Sequence, residues 1–284
     1  MAAHAVIPAL YASMTTKNPR LDMGEHAARA LLHINQFGWL RATELGRLLH
    51  PCQPHSRKYA EAHLRKLNEL RLVIPRQLPG ASAGKAYVLS SRGASQLNDW
   101  RGEQAYSTGK DWGSTASGIW LPPASWRHDL IATGVLALLA ESGLDVYPES
   151  YLRRIEPDAR KHPDGLVADR ENGFSMWLEV ENARKSGRNI EQLVEAVALA
   201  SRKTPITAFD VVQDVPIKMG LVAINAEARD ERGYRLNHLH RIASALRKRR
   251  LAKPLPLYVA WLTMRGVGVH SLVLEEKLYD PDAM

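Results

Sequence analysis

The stretch HPDGLVADRENGFSMWLEVENARKS, over 162–186, holds three acidic residues whose types and spacing could do chemistry together. Asp164 stands fifteen residues before Glu179, and Glu181 follows two positions later. If Glu179 and Glu181 lie on one strand, period-2 geometry puts them on one face. A carboxylate from a neighbouring strand, Asp164, can then meet them. Carboxylate oxygens with a main-chain carbonyl, here that of Val180, suit a hard cation such as Mg²⁺ or Mn²⁺. Such a metal polarises a phosphate and lowers the pKa of an attacking water. Asp164, Glu179 and Glu181 are therefore candidate catalytic residues, and Asp164 and Glu179 candidate metal ligands. A structural alternative stands beside this. Asp164-Gly165 is a common turn pair. Glu179 and Glu181 could form the solvent face of an alternating edge strand, with Leu178 and Val180 inside.

The surrounding pattern supplies elements that could position these residues. A helix is expected over 128–141, with Leu130, Val135, Leu138 and Leu139 among its apolar positions. Strands are expected over 145–147, 163–168 and 174–181, with a polar turn at 170–173. A helix over 189–201, a strand over 219–225, a helix over 234–250 and strands over 256–262 and 267–274 complete the second half. His128 and Asp129 open a helix, where Asp129 suits the dipole; His128 could point into the site, but a capping or packing role suits it better. His238 and His240 are two apart on a helix, so they do not face one another. Arg247, Lys248, Arg249 and Arg250 suit a helix C-terminus and could also extend a phosphate track.

Helix, strand hairpin, helix, strand is an order that resembles the core of the PD-(D/E)xK nuclease superfamily. Pro163-Asp164 matches its "PD" element, and Glu179-Val180-Glu181 stands where its (D/E)xK element belongs. The usual lysine is replaced by Glu181, a variant that a few restriction enzymes resemble. Lys161 and Lys185 are near enough in sequence to substitute. Many proteins of this fold serve as binding scaffolds without the chemistry.

Charge locates a second kind of chemistry. The 284 residues carry a formal net charge of +8. Residues 1–110 hold 15 Lys and Arg against 7 Asp and Glu, and the remainder holds 23 against 23. The whole excess lies in the first part, as expected of a phosphate-binding surface. That part reads as a helix over 24–37, with Ala27, Leu31, Ile34 and Phe37 inward, and a short helix over 44–49 capped by Thr43. Pro51 and Pro54 make a turn, and Ser56 is the expected N-cap of a third helix running to Leu70 or Arg71. Ala60, Leu64, Leu67 and Leu70 form its core stripe. Two strands around a flexible tip at 79–84 follow, and a helix opens at 91–94.

Three helices followed by a hairpin is the winged-helix order. The phrases LRKLNELRLVIPR and GKAYVLSSRGASQL resemble winged-helix proteins. The resemblance implies a third helix in the major groove and a wing on the backbone. It nominates Ser56, Arg57, Lys58, Arg65 and Lys66 on the helix, with Arg76 and Lys85 from the wing, as DNA contacts. A charged helix is also compatible with a merely solvated face, and winged helices also dock proteins.

The expected fold class is thus a two-domain α+β or α/β chain. A winged helix occupies 1–100, a Gly/Ser/Pro-rich linker 101–125 and a restriction-endonuclease-like α/β core 126–284. Trp112, Trp120 and Trp126 punctuate the linker and more readily anchor it than stack on bases. Over nearly its full length the chain resembles the replication-relaxation family. His128-Asp129-Leu130, Pro163-Asp164 and Leu178-Glu179-Val180-Glu181 carry that resemblance. It implies an accessory role in replication or transfer of plasmids and other mobile elements.

Three functions are open: a DNA-binding accessory protein with a non-catalytic nuclease-like domain, a Mg²⁺-dependent DNA endonuclease, and a transcriptional repressor. Double-stranded DNA is the expected partner, with a homodimer and a replication, transfer or recombination protein as further candidates. The single cysteine, Cys52, excludes an intramolecular disulfide and a cysteine-cluster zinc site. The first ten residues lack the pattern of a signal peptide, and no apolar run is long enough to span a bilayer. A cytoplasmic location is the expectation. There is no P-loop, dinucleotide fingerprint or GxSxG.

Overall fold

A computed structural model describes residues 24–80, 82–101, 105, 113–114, 120–159, 161–181, 215–225, 240, 244 and 256–279. It is a mixed α/β structure, with six helices among the described residues, and it divides into two compact units, Met1–Leu78 with Gly84–Leu121 and Pro122–Met284 with Pro79–Ala83.

The first unit runs α1 (Glu25–Phe37), β1 (Leu40–Arg41), α2 (Ala42–Leu49), α3 (Ser56–Glu69), β2 (Val73–Gln77), β3 (Lys85–Leu89) and α4 (Ser91–Arg101). The apolar spacing read from the sequence does become the core, with Leu31, Ile34, Leu45, Leu64 and Leu67 all buried. The strands form a three-stranded antiparallel sheet in the order β1-β3-β2. β1 was not expected. Two residues are too few to show a period, and pairing Leu40 with Tyr87 is a tertiary event.

Two expected helix starts move. α2 begins at Ala42 after Arg41, so Thr43 lies inside the helix and caps nothing. α3 begins at Ser56 itself, with His55 at the cap position and no side-chain cap bond. At the start of α2, Arg41 instead forms a buried ion pair with Glu44, donating from Nε over 3.0 Å. α3 ends at Glu69, one or two residues short of expectation.

α2 and α3 approach unusually closely. A Cβ added at Gly46 would lie 2.7 Å from the Ser56 carbonyl and the Arg57 nitrogen. Glycine is therefore what lets the end of one helix reach the start of the next. Further on, β4 (Gly113–Ser114) and β5 (Trp120–Leu121) pair antiparallel within the stretch expected as linker. Trp126 is not a linker residue. It is buried in the first turn of the next helix. Trp112 lies outside the described residues.

The second unit runs α5 (Trp126–Glu141), β6 (Asp145–Pro148), α6 (Glu149–Ile155), β7 (Gly165–Asp169), β8 (Phe174–Glu181), β9 (Ile217–Asn225), β10 (Leu257–Arg265) and β11 (Gly268–Tyr279). Its six strands form one sheet in the order β6-β7-β8-β9-β10-β11. β8, β9 and β10 are parallel neighbours, flanked by antiparallel pairs at both edges. The helices expected over 189–201 and 234–250, with His238 and the basic run 247–250, fall outside the described residues apart from His240 and Ser244. α6 went unforeseen. Seven residues with two consecutive arginines in their last turn give little apolar period.

α5 is buried all round over its middle turns, from Leu130 to Ala137, including Ile131, Val135 and Leu136. That is the signature of a helix enclosed by other elements. It lies against β6 and β11 and also touches β7 and β8. Gly165 explains one close approach, because a Cβ there would stand 2.7 Å from the Leu136 side chain. Among the described residues, no helix is long and apolar enough to cross a membrane.

Candidate functional site

The acidic residues converge because of strand register. β7 and β8 are antiparallel with Gly165 opposite Leu178, so Asp164 precedes β7 directly across from Glu179. Residues opposite one another on an antiparallel pair project to the same face. The ladder continues through Asp164, whose N–H donates to the Leu178 carbonyl over 3.0 Å. The structural alternatives fail on this point. Gly165 keeps a strand conformation and is needed for packing, so Asp164-Gly165 is no glycine turn. β8 is an interior strand, and Glu179 and Glu181 are 3% and 4% exposed, so neither lies on a solvent face.

Asp164 and Glu179 are both held, while Glu181 is buried beyond them on β8 with its Oε1 turned to no donor among the described residues. Asp164 Oδ2 accepts from the Val180 N–H over 2.6 Å, and Oδ1 lies 3.0 Å from His128 Nε2. His128 comes from the first turn of α5. Of the two roles read for it, the side chain takes the one that points into the site, through a contact across 36 residues of sequence, rather than capping or packing. Glu179 Oε1 accepts from Lys161 Nζ over 2.5 Å and from Trp177 Nε1 over 2.8 Å. Burial pushes the Glu179 carboxyl above the usual carboxylate range. The Lys161 charge opposes that shift, and the Asp164 charge reinforces it. Asp129 is also raised, mainly by burial, with Glu149 and Asp164 adding to the shift. Ser125 donates to Asp129 over 2.9 Å, and Arg153 donates to Glu149 over the same distance.

Asp129, Glu149, Asp164 and Glu179 thus act electrostatically in one region, with Lys161 and His128 as the basic groups against it. Lys161, noted for its nearness in sequence, contacts Glu179 directly. Lys185 lies outside the described residues. Glu149 was missed, because nothing local distinguishes it from any first-turn glutamate. Among the described residues, no three His, Cys, Asp or Glu side chains are arranged to hold a metal ion. Asp164 and Glu179 offer two carboxylates, and both already accept hydrogen bonds from protein donors. As arranged, these carboxylates are engaged with protein donors rather than left open for a metal. Accepting one would require Lys161 or His128 to move.

In the first unit the basic residues distribute over α3 by helical geometry. Ala60, Leu64 and Leu67 face the core. At 100° per residue, Lys58, Ala62, Arg65 and Glu69 fall on the opposite face, with Lys66 beside them. All five are exposed. Arg57 lies on a flank, where its Nε donates to Glu61 over 2.9 Å. Ser56 is half-buried at the helix start. From the hairpin, Lys85 is exposed at the start of β3. Arg76 is half-buried on β2, where burial lowers its pKa. The hairpin end is closed by Gln77, which donates to the Leu78 and Gly84 carbonyls.

A scan against protein-family models and searches of curated proteins and of solved structures found no match to the chain.

Proposed function

We propose that this chain is a DNA-binding protein, with a winged helix in its first unit and a nuclease-like core in its second. One observation carries the DNA-binding reading. The α3 face turned away from the core presents Lys58, Arg65 and Lys66 together, in the part of the chain, residues 1–110, that holds the entire positive excess. Phosphate neutralisation by such a face supplies affinity through counterion release. The helix order and the antiparallel hairpin support its placement in a groove. Arg57, engaged with Glu61, and the half-buried Arg76 contribute less than Lys58, Arg65, Lys66 and Lys85. The accessory role for a mobile element, and any dimer or partner protein, rest on the resemblance in the sequence alone.

The test is duplex DNA binding by the full chain carrying Arg65→Ala and Lys66→Ala together. Affinity is expected to fall about tenfold or more at low salt, with the dependence of log K on log salt shallower by about 2. Unchanged affinity and slope would overturn the assignment of α3.

A second reading, metal-dependent strand cleavage, has one specific observation in its favour. Asp164 and Glu179 face one another on paired strands with Lys161 Nζ at Glu179, which puts an acid pair and a lysine at one spot. It competes with a scaffold in which the same groups are a buried polar network that orders the core. Incubation of supercoiled and linear plasmid with Mg²⁺ or Mn²⁺ separates the two. On the scaffold reading, wild type and Asp164→Ala leave the plasmid equally intact. Metal-dependent nicking by wild type that vanishes in Asp164→Ala would establish the endonuclease.

A further inference from the structure

Three imidazoles meet in the first unit, outside the acidic cluster and apart from the basic residues already assigned to DNA. His26 on α1 and His50 at the end of α2 have ring centroids 4.8 Å apart. His63 on α3 lies 5.6 Å from each of them, and its ring is nearly parallel to that of His50. Tyr59 on α3 meets His50 edge-on at 5.4 Å. The cluster borders an open cavity of about 560 Å³ lined by Leu49, His50, Pro51, Gln53, Tyr59, Ala62 and His63. Ala62 belongs to the outward face of α3, so the cavity borders that face. Among the described residues, no three such side chains are arranged to hold a metal.

The charges that act on His50 and His63 are of one sign. His50 is held below the usual histidine range by burial first, then by His26, His63 and Arg29. His63 is held down by burial first, then by His26 and Lys66. Arg29 and His26 come from α1, His50 from the end of α2, and Tyr59, His63 and Lys66 from α3. Of the carboxylates on these helices, Glu44 is paired with Arg41 and Glu61 with Arg57, Glu25 neighbours His26 in sequence, and Glu69 lies on the outward face of α3. A proton added to His50 or His63 would therefore meet repulsion that an external anion relieves.

We propose that the His26–His50–His63 cluster couples proton uptake to binding of the nucleic-acid phosphate backbone, so that DNA affinity rises as pH falls. The inference rests on the DNA-binding reading. Phosphates laid along α3 stabilise the imidazolium forms that the free protein disfavours. By linkage, each proton taken up on binding strengthens affinity by up to about tenfold per pH unit. Without DNA the sign reverses. The unfolded chain protonates His50 and His63 more readily than the folded one. Stability is therefore held above the ordinary histidine range and is lost as pH falls through it.

The test measures affinity for one duplex at fixed salt between pH 7.5 and 5.5. Wild type is compared with His50→Gln combined with His63→Gln, with His26→Gln, and with His55→Gln as an exposed histidine outside the cluster. Wild type and His55→Gln are expected to tighten about tenfold over that range. His26→Gln should show a reduced response and the double variant almost none. His26 is exposed, so its replacement leaves packing intact even if the double variant folds poorly. Equal pH responses in wild type, His26→Gln and the double variant would overturn the cluster's role. An absence of salt-sensitive binding at every pH would overturn the DNA-binding reading and this inference with it. Binding that is salt-sensitive but independent of pH would overturn this inference alone.

Discussion

Lys161→Met is expected to lower the stability of the second unit by about 3 kcal/mol, because it strands a buried carboxylate. Glu179 is 3% exposed, and its Oε1 is held by Lys161 and Trp177. Removing the ammonium leaves burial and Asp164 as the dominant influences, and both push the carboxyl further up. The variant's deficit should therefore depend on pH in a defined direction. With the folded carboxyl raised above its unfolded value, the folded state binds the proton more tightly. Stability then falls as pH rises from the ordinary carboxylate range to the raised value, and stays low above it. At acidic pH, where Glu179 is protonated in both states, the deficit should shrink. Adding Glu179→Gln keeps an acceptor for Trp177 and removes the charge, so the double variant should recover most of the loss. Denaturant unfolding at several pH values reads all of this. A silent Lys161→Met at neutral pH would contradict the buried ion pair.

Gly46→Ala is expected to be as damaging in the first unit, at about 3 kcal/mol, through overpacking. The added methyl would sit 2.7 Å from the Ser56 carbonyl and the Arg57 nitrogen. These are backbone atoms at the start of α3, so no side-chain rotation relieves the contact. The two helices must separate, and the outward face of α3 moves with them. DNA affinity should fall together with stability, although no phosphate contact has been removed. Measuring both separates this from Arg65→Ala with Lys66→Ala, where affinity falls and stability holds. A Gly46→Ala protein as stable as wild type would contradict the close approach of α2 and α3.

Much of the framework was legible because it follows from local periodicity. Leu31 and Ile34 on α1, and Leu64 and Leu67 on α3, announce their faces by helical spacing, and β8 runs over the interval read from the sequence. Glu179 and Glu181 were legible as a pair for the same reason. Their burial was not, because a strand's rank in its sheet depends on partners far away in sequence. β9 begins 36 residues after β8 ends, and it is β9 that makes β8 an interior strand. The His128–Asp164 contact and the Lys161–Glu179 pair likewise join elements whose juxtaposition no spacing rule encodes. The histidine cluster draws one ring from each of three helices, and none of the three looked unusual in its own segment. Helix starts shifted for a smaller reason. Arg41 and Glu44 pair across the first turn of α2, so the helix begins ahead of the threonine that could have capped it.

The most direct test of the central claim is titration of the full chain against a short DNA duplex across a salt series. The account predicts saturable binding at low salt that weakens steeply as salt rises, with log K falling linearly in log salt. Its slope should correspond to about three to five phosphates neutralised by Lys58, Arg65, Lys66, Lys85 and their neighbours. Binding that is absent at low salt, or indifferent to salt, would contradict it.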